Sequence, residues 1–323
     1  MLCIVKLLRS EVCFASVAAH LTSLCGKTAI LAMFCLRMPK LENNAKYADT
    51  AERVMYNGVL SGISMSGKEF FYVNPLEIDL DFNDVNPATV EKEQYPITRR
   101  LEIFGCSCCP PNLVRFISAV GGYFYGYDDD TVYVNQFADS TLQTEDITLC
   151  VKTDYPVNGK LDIQCDTDKP YLAVRIPAWC EKVTASQAYT VKNGYMVFDL
   201  RVSKSISVEL DMPVTAIQCN PKVHENAGKI AITRGPVVYC AESIDNGPDL
   251  RAASLRSDGE YTLGECEFLV PNIKTTAYKP KETCALYAKA DSQTEEAEFT
   301  LIPYYAFANR EESSMLVWFI KKD

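Results

Sequence analysis

The spacing of hydrophobic residues divides the chain into a shorter helical part and a longer strand-rich part. Between residues 44 and 62, Tyr47, Ala51, Val54, Met55 and Leu60 recur at a helical period. The Asn57-Gly58 pair weakens or ends that helix. A buried or partly buried helix is expected over 28–38. Another starts at Asn112, with apolar residues at 113, 114, 116, 117 and 120. After residue 122 the period changes to two. Thr131-Val-Tyr-Val, Thr148-Leu-Cys-Val, Leu161-Asp-Ile-Gln-Cys, Tyr171-Leu-Ala-Val-Arg-Ile, Tyr195-Met-Val-Phe and Ser205-Ile-Ser-Val-Glu-Leu all alternate as strands. Asp128-Asp-Asp reads as a turn, and Asn193-Gly194 is a strong hairpin signal. Pro177 ends a strand, with Trp179 beside it as an expected core aromatic. Further runs at 229–240, 267–270, 298–307 and 315–320 supply a second set of strands. Short strands between turn residues at this spacing indicate antiparallel sandwiches.

The fold expected is therefore mixed α and β and multidomain. Residues 1–27 form an atypical N-terminal segment and 28–122 a helical part. Residues 123–214 form one β-sandwich and 215–323 a second.

Composition narrows the function classes. The 323 residues are 48% hydrophobic and 23% charged, as in a globular protein. A net charge of −10 argues against nucleic acid or an anionic membrane surface as the main partner, and is compatible with a neutral substrate such as a sugar. Fourteen cysteines are scattered along the chain, several inside strand-like runs such as Cys219 and Cys240. These read as small buried hydrophobes in a reducing compartment, which favours a cytoplasmic over a secreted location. The apolar run at 12–19 faintly resembles a signal peptide but is broken by His20 and Thr22, and is too interrupted to span a membrane. His20 and His224 are read as ordinary histidines rather than partners of a nucleophile.

The densest chemistry lies at Phe104-Gly-Cys-Ser-Cys-Cys-Pro-Pro-Asn, where Cys106, Cys108 and Cys109 fall within four positions. Pro110 and Pro111 predict extended backbone at Cys109 and Pro110, just before the helix. Thiols at a helix N-terminus are favoured as thiolates, the nucleophilic and metal-binding form. Two readings stand side by side: three buried apolar cysteines, or a thiolate metal site with a reactive cysteine. The spacing lacks the second cysteine pair of a zinc ribbon.

Five runs occur in one order: Phe70-Phe-Tyr-Val-Asn-Pro-Leu-Glu, the cysteine run, Arg175-Ile-Pro-Ala-Trp-Cys, Arg234-Gly-Pro-Val-Val-Tyr and Ile302-Pro-Tyr-Tyr-Ala-Phe-Ala-Asn-Arg. Together they resemble glycoside hydrolase family 127, the β-L-arabinofuranosidase family, over roughly residues 28–323. The resemblance implies an (α/α)6 barrel followed by β-sandwich domains. It implies a retaining exo-glycosidase that releases β-L-arabinofuranose, with zinc held by a Glu-x-Cys pair and two adjacent cysteines. By position in the motif, Cys108 would be the nucleophile and a metal ligand, Cys109 a further metal ligand, and Tyr72 a sugar contact. The implied partners are an arabinose-containing oligosaccharide or glycoconjugate and, in a homodimer, a second copy of the chain.

The chain also departs from that pattern. About 115 residues precede the sandwich, so 28–122 is read as the remnant of a barrel of about a dozen helices. The Glu-x-Cys pair should fall near 24–27, where Leu24-Cys25-Gly26-Lys27 stands. No acid/base glutamate is assigned. Glu282-Thr-Cys284 matches the ligand pattern but lies in the last β-region and is read as coincidence. The expectation is a weakly active or inactive member of the family. The alternative is a non-catalytic β-sandwich module with a structural or carbohydrate-contacting role.

Overall fold

A computed structural model describes residues 23–81, 98–103, 108–281, 287 and 293–323, and of 23–27 the backbone alone. The run at 12–19, Cys106 and the Glu282-Thr-Cys284 run lie outside these residues. The chain divides into two compact units. Gly26–Met55 and Pro110–Pro213 belong to the first, and Tyr56–Cys109 and Val214–Asp323 to the second. Among the described residues no helix is long and apolar enough to cross a membrane.

The first unit combines helices with two five-stranded sheets. Helix α1 (Cys25–Arg37) buries Ala29, Ala32, Met33, Cys35 and Leu36. Helix α2 (Ala45–Val54) buries Tyr47, Ala51 and Val54, the residues whose period predicted it. Asn44 caps it, its side-chain oxygen accepting the Lys46 N–H at 3.1 Å. A π-helical turn, Met55–Val59, follows at Asn57-Gly58.

One sheet is antiparallel throughout, in the order Val183–Ala185, Ser205–Leu210, Lys160–Thr167, Ile147–Lys152, Ser140–Gln143. The other runs Thr190–Lys192, Tyr195–Asp199, Tyr171–Arg175, Thr131–Val134, Tyr125–Tyr127. Its central pair, Thr131–Val134 with Tyr171–Arg175, is parallel. Alternation cannot reveal this, because the intervening chain leaves to build three strands of the other sheet before returning. Alternate residues of both sheets are buried, Val132, Val134, Leu172, Val174 and Phe198 in one and Leu149, Val151, Leu161 and Ile163 in the other. The Asn193-Gly194 hairpin joins Thr190–Lys192 to Tyr195–Asp199, with positive φ at both turn residues.

The second unit corrects the expectation of two packed sheets over 215–323. Lys229–Arg234, Phe319–Lys322, Ser254–Arg256, Ile273–Pro280, Thr294–Pro303 and Val237–Glu242 pair in succession, and Val237–Glu242 pairs back to Lys229–Arg234. The strands thus close into a ring. The Gly235-Pro236 turn makes the closure possible, since both strands it joins also pair outward. Closure removes exposed strand edges. Met315–Leu316 and then Glu77–Ile78 extend the sheet from Val237–Glu242. The Arg310 that ends the Ile302–Arg310 run donates to the buried Glu242 carboxylate at 2.8 Å, and Glu242 also accepts the Ala308 N–H. Burial raises the Glu242 pKa despite those donors.

Candidate functional site

The residues singled out at Tyr72, Cys108 and Cys109 come together within the second unit. Each owes its place to neighbours in sequence. Phe71, next to Tyr72, is fully buried and stacks on Phe307 with centroids 5.0 Å apart, and Phe307 stacks on Tyr304 at 5.1 Å. The Tyr304 hydroxyl donates to the Pro75 carbonyl at 2.6 Å. Val73 and Asn74 pair with Leu24 and Ser23, and the Asn74 side chain donates to the Gly58 carbonyl. The Phe70–Leu76 run is thereby fixed on both sides of Tyr72, which stays half-buried.

Arg100 completes this support. It closes the polar, acidic run at 78–100, which holds Pro87 and Pro96 and reads as a surface loop, but the structure buries it. Its guanidinium lies over the Phe71 ring at 4.5 Å and the Phe307 ring at 5.1 Å. It donates to the carbonyls of Phe307, Ala308 and Ser61 at 2.6, 3.1 and 3.0 Å. A planar, charged group with donors in a fork can satisfy these carbonyls and cover aromatic faces at once. The polar composition of the flanking residues concealed it.

Cys109 opens helix α3 (Cys109–Val120), which is a second correction. Extended backbone was expected at Cys109 and Pro110, yet both lie in the first helical turn. Proline is tolerated there because the N–H it lacks would have no partner within the helix. Cys109 is fully buried, and its thiol faces the Tyr72 carbonyl at 3.9 Å. Cys108 precedes the helix and is exposed. The two sulfurs are 3.9 Å apart. No disulfide joins the described cysteines. Elsewhere burial raises the Cys165 thiol to about 11 and Cys240 well above its ordinary value. Cys240 is thus the inert, buried kind expected, whereas Cys219 is half-buried and near the Asn226 carbonyl at 3.0 Å.

The sulfur spacing can be set against zinc. Two thiolates about 2.3 Å from one tetrahedral ion would stand about 3.8 Å apart, so Cys108 and Cys109 suit two adjacent ligand positions. Among the described residues no group of three or more cysteine, histidine or carboxylate side chains could hold a metal. Cys106 and the side chain of Cys25 lie outside them. The described residues bring two such donors together, Cys108 and Cys109.

Comparison with known proteins agrees along the length of the chain. Three family models match in sequence order: the GH127 catalytic domain of β-L-arabinofuranosidase over 18–122, the GH127 middle domain over 131–214, and the glycoside hydrolase family 127 C-terminal domain over 214–320. A non-reducing end β-L-arabinofuranosidase of Bifidobacterium longum subsp. longum is 32% identical over 91% of this chain and 48% of its own length. The crystal structure of a GH127 β-L-arabinofuranosidase from Geobacillus stearothermophilus T6 superposes with a TM-score of 0.81 at 33% identity, covering 91% of this chain and 49% of that one. A structure described as a glycoside hydrolase gives a TM-score of 0.83 at 28% identity, covering 95% and 53%. The chain spans about half the length of these relatives.

Proposed function

The chain belongs to glycoside hydrolase family 127, and from that premise we propose that it carries the thiol side of a retaining β-L-arabinofuranosidase site. The observation that supports this most directly is the pairing of an exposed Cys108 with a buried Cys109 at 3.9 Å, beside the backbone of Tyr72. An exposed thiol at the entrance to a helix is accessible to substrate and feels the helix's positive end. In this reading the Cys108 thiolate attacks the anomeric carbon. A carbon–sulfur bond forms as the glycosidic carbon–oxygen bond breaks, and the leaving oxygen takes a proton from a carboxylic acid that none of the described residues is assigned to supply. Water then displaces the sulfur, giving a proton back to the carboxylate left by the first step, returning the thiolate and releasing the sugar with retained configuration. Tyr72 would contact the sugar.

Cys108 and Cys109 would supply two of the ligands to zinc, which when bound favours the thiolate form. Helices α1, α2 and α3 would be part of an (α/α)6 barrel. The exposure of apolar Ile30 on α1 and of Val114 and Ile117 on α3 supports this. The substrate class proposed is an arabinose-containing oligosaccharide or glycoconjugate.

The test is hydrolysis of an aryl β-L-arabinofuranoside by the reduced, zinc-loaded chain, with Cys108→Ala beside it. Weak turnover lost in the variant is the expected result, and turnover equal in both overturns the nucleophile. A second reading, a non-catalytic β module, is supported by the separate matches to the middle and C-terminal domains. It is favoured if neither turnover nor covalent labelling of Cys108 by an arabinofuranosyl-configured epoxide occurs.

A further inference from the structure

The five-stranded sheet that contains Tyr171–Arg175 has an outer face with an ordered grid of side chains. Strand register aligns Thr190, Val197, Ala173 and Tyr133 in one row across it. The next row is Asp199, Tyr171 and Thr131, and the preceding row is Lys192, Tyr195 and Arg175. Ala45, at the start of α2, packs on Tyr195 in the preceding row and on Ala173 in the middle of the first. The rest of that row and the next row remain at least partly exposed. The Asp128–Thr131 turn forms one wall and the Tyr189–Asn193 stretch the other, enclosing a groove of about 950 Å³.

We propose that this groove is a binding site for a neutral saccharide, separate in residues from the thiol pair. Its floor is apolar at Val197, and tyrosine rings flank it. Tyr133 meets Tyr195 edge to face at 5.5 Å, and Tyr171 is held with the Arg201 guanidinium 5.7 Å from its centroid. Rings fixed in this way offer flat apolar faces to the C–H side of a sugar. Asn43, Thr131, Thr190 and Asn193 offer amides and hydroxyls to its oxygens.

Charge selects among ligands. Asp128, Asp129, Asp130 and Asp199 line the groove against Lys192, which disfavours an anion. The two carboxylates nearest the rings are already engaged. Asp128 accepts the Tyr133 hydroxyl at 2.9 Å and the N–H groups of Asp130 and Thr131, and Asp199 accepts from Arg201 at 2.7 and 2.8 Å. This disfavours a bare cation and leaves an uncharged, polyhydroxylated ligand of a few sugar units.

The test is affinity electrophoresis of the full chain through gels containing arabinan, arabinogalactan or xylan, beside Tyr171→Ala, Tyr133→Ala and Cys108→Ala. Circular dichroism of each variant checks that it folds. At least one polysaccharide should retard the wild type. Each tyrosine variant should bind about tenfold more weakly, the scale of one lost aromatic contact. Cys108→Ala should bind as wild type does, so failure of the catalytic reading leaves this result untouched. No retardation of the folded wild type, or equal retardation of both tyrosine variants, overturns the groove. So does binding lost only in Cys108→Ala. Self-association that disappears in Tyr171→Ala, without retardation by any saccharide, would assign the groove to a second copy instead.

Discussion

Arg175 and Glu52 form an ion pair that is almost wholly removed from water. Arg175 Nη2 lies 2.5 Å from Glu52 Oε1 and Nη1 lies 3.2 Å from Oε2. The same carboxylate accepts the Tyr155 hydroxyl at 2.7 Å and Trp179 Nε1 at 3.3 Å. Arg175 Nε donates to the Asn135 carbonyl, Nη1 reaches Asp49, and the guanidinium lies 4.7 Å from the Phe137 ring centroid. The pair links α2 to the sheet strand Tyr171–Arg175. It gives the Arg175–Cys180 run a physical reason, since both its arginine and its tryptophan serve one carboxylate.

Removing one member should cost far more than the pair itself contributes. Glu52→Gln leaves the Arg175 charge buried with Asp49 alone, a loss of about 3–5 kcal/mol. The double substitution Glu52→Leu/Arg175→Met leaves no buried charge from the pair and should cost less. Urea unfolding followed by circular dichroism checks this. A double variant as unstable as the single one would show that the network is valued for its hydrogen bonds rather than its charge balance.

Asp49 gives the same network a pH dependence. Burial raises its pKa from the ordinary aspartate value, opposed by Arg175 and helped by Glu52. A raised folded pKa means that the native state holds the proton more tightly than the unfolded chain. The stability this contributes is present at low pH and is lost as pH rises through the folded value. Relative to Asp49→Asn, which cannot titrate, the wild type should lose stability as pH rises from the ordinary aspartate value through the raised folded one. Thermal melts of both proteins across that range test the sign, and a difference that is flat or reversed refutes it.

Gly194 is required for two reasons. Its φ is +82°, and a Cβ there would lie 2.6 Å from the Ala45 Cβ at the start of α2. Gly194→Ala should therefore destabilise by about 1–3 kcal/mol. Adding Ala45→Gly should recover the steric part only, because the backbone strain remains. Full recovery would mean that the hairpin does not hold this conformation tightly.

What the sequence makes legible follows from the range of each signal. Residues 47, 51 and 54 share one helix face and residues 193–194 form a two-residue turn, so local pattern suffices for both. The parallel pairing of Thr131–Val134 with Tyr171–Arg175 depends on where the chain returns after some 36 residues, which alternation does not encode. Closure of the second β-region into a ring is invisible for the same reason. At the thiol site the residue types were evident from their density. The role of Arg100 was not, because an arginine in a polar run reads as solvated until its aromatic neighbours, 29 positions back and 207 positions on, are brought to it.

Arg100 also provides the sharpest test of how the thiol site is supported. Lysine has the charge but neither the planar face nor the fork, so Arg100→Lys should leave some of the Phe307, Ala308 and Ser61 carbonyls without their donor. One orphaned buried carbonyl costs about 1–3 kcal/mol. Loosening the Phe71–Phe307 stack should free the adjacent Tyr72 carbonyl, which faces the Cys109 thiol. Timed alkylation with iodoacetamide, read by mass spectrometry, separates the two thiols. In the wild type Cys108 should react readily and Cys109 only on unfolding, in keeping with their exposure. In Arg100→Lys, Cys109 should become reactive under native conditions while the rate at Cys108 changes little. If Cys109 stays protected in a variant whose stability has fallen, the aromatic stack does not hold the thiol in place, and helix α3 alone must do so.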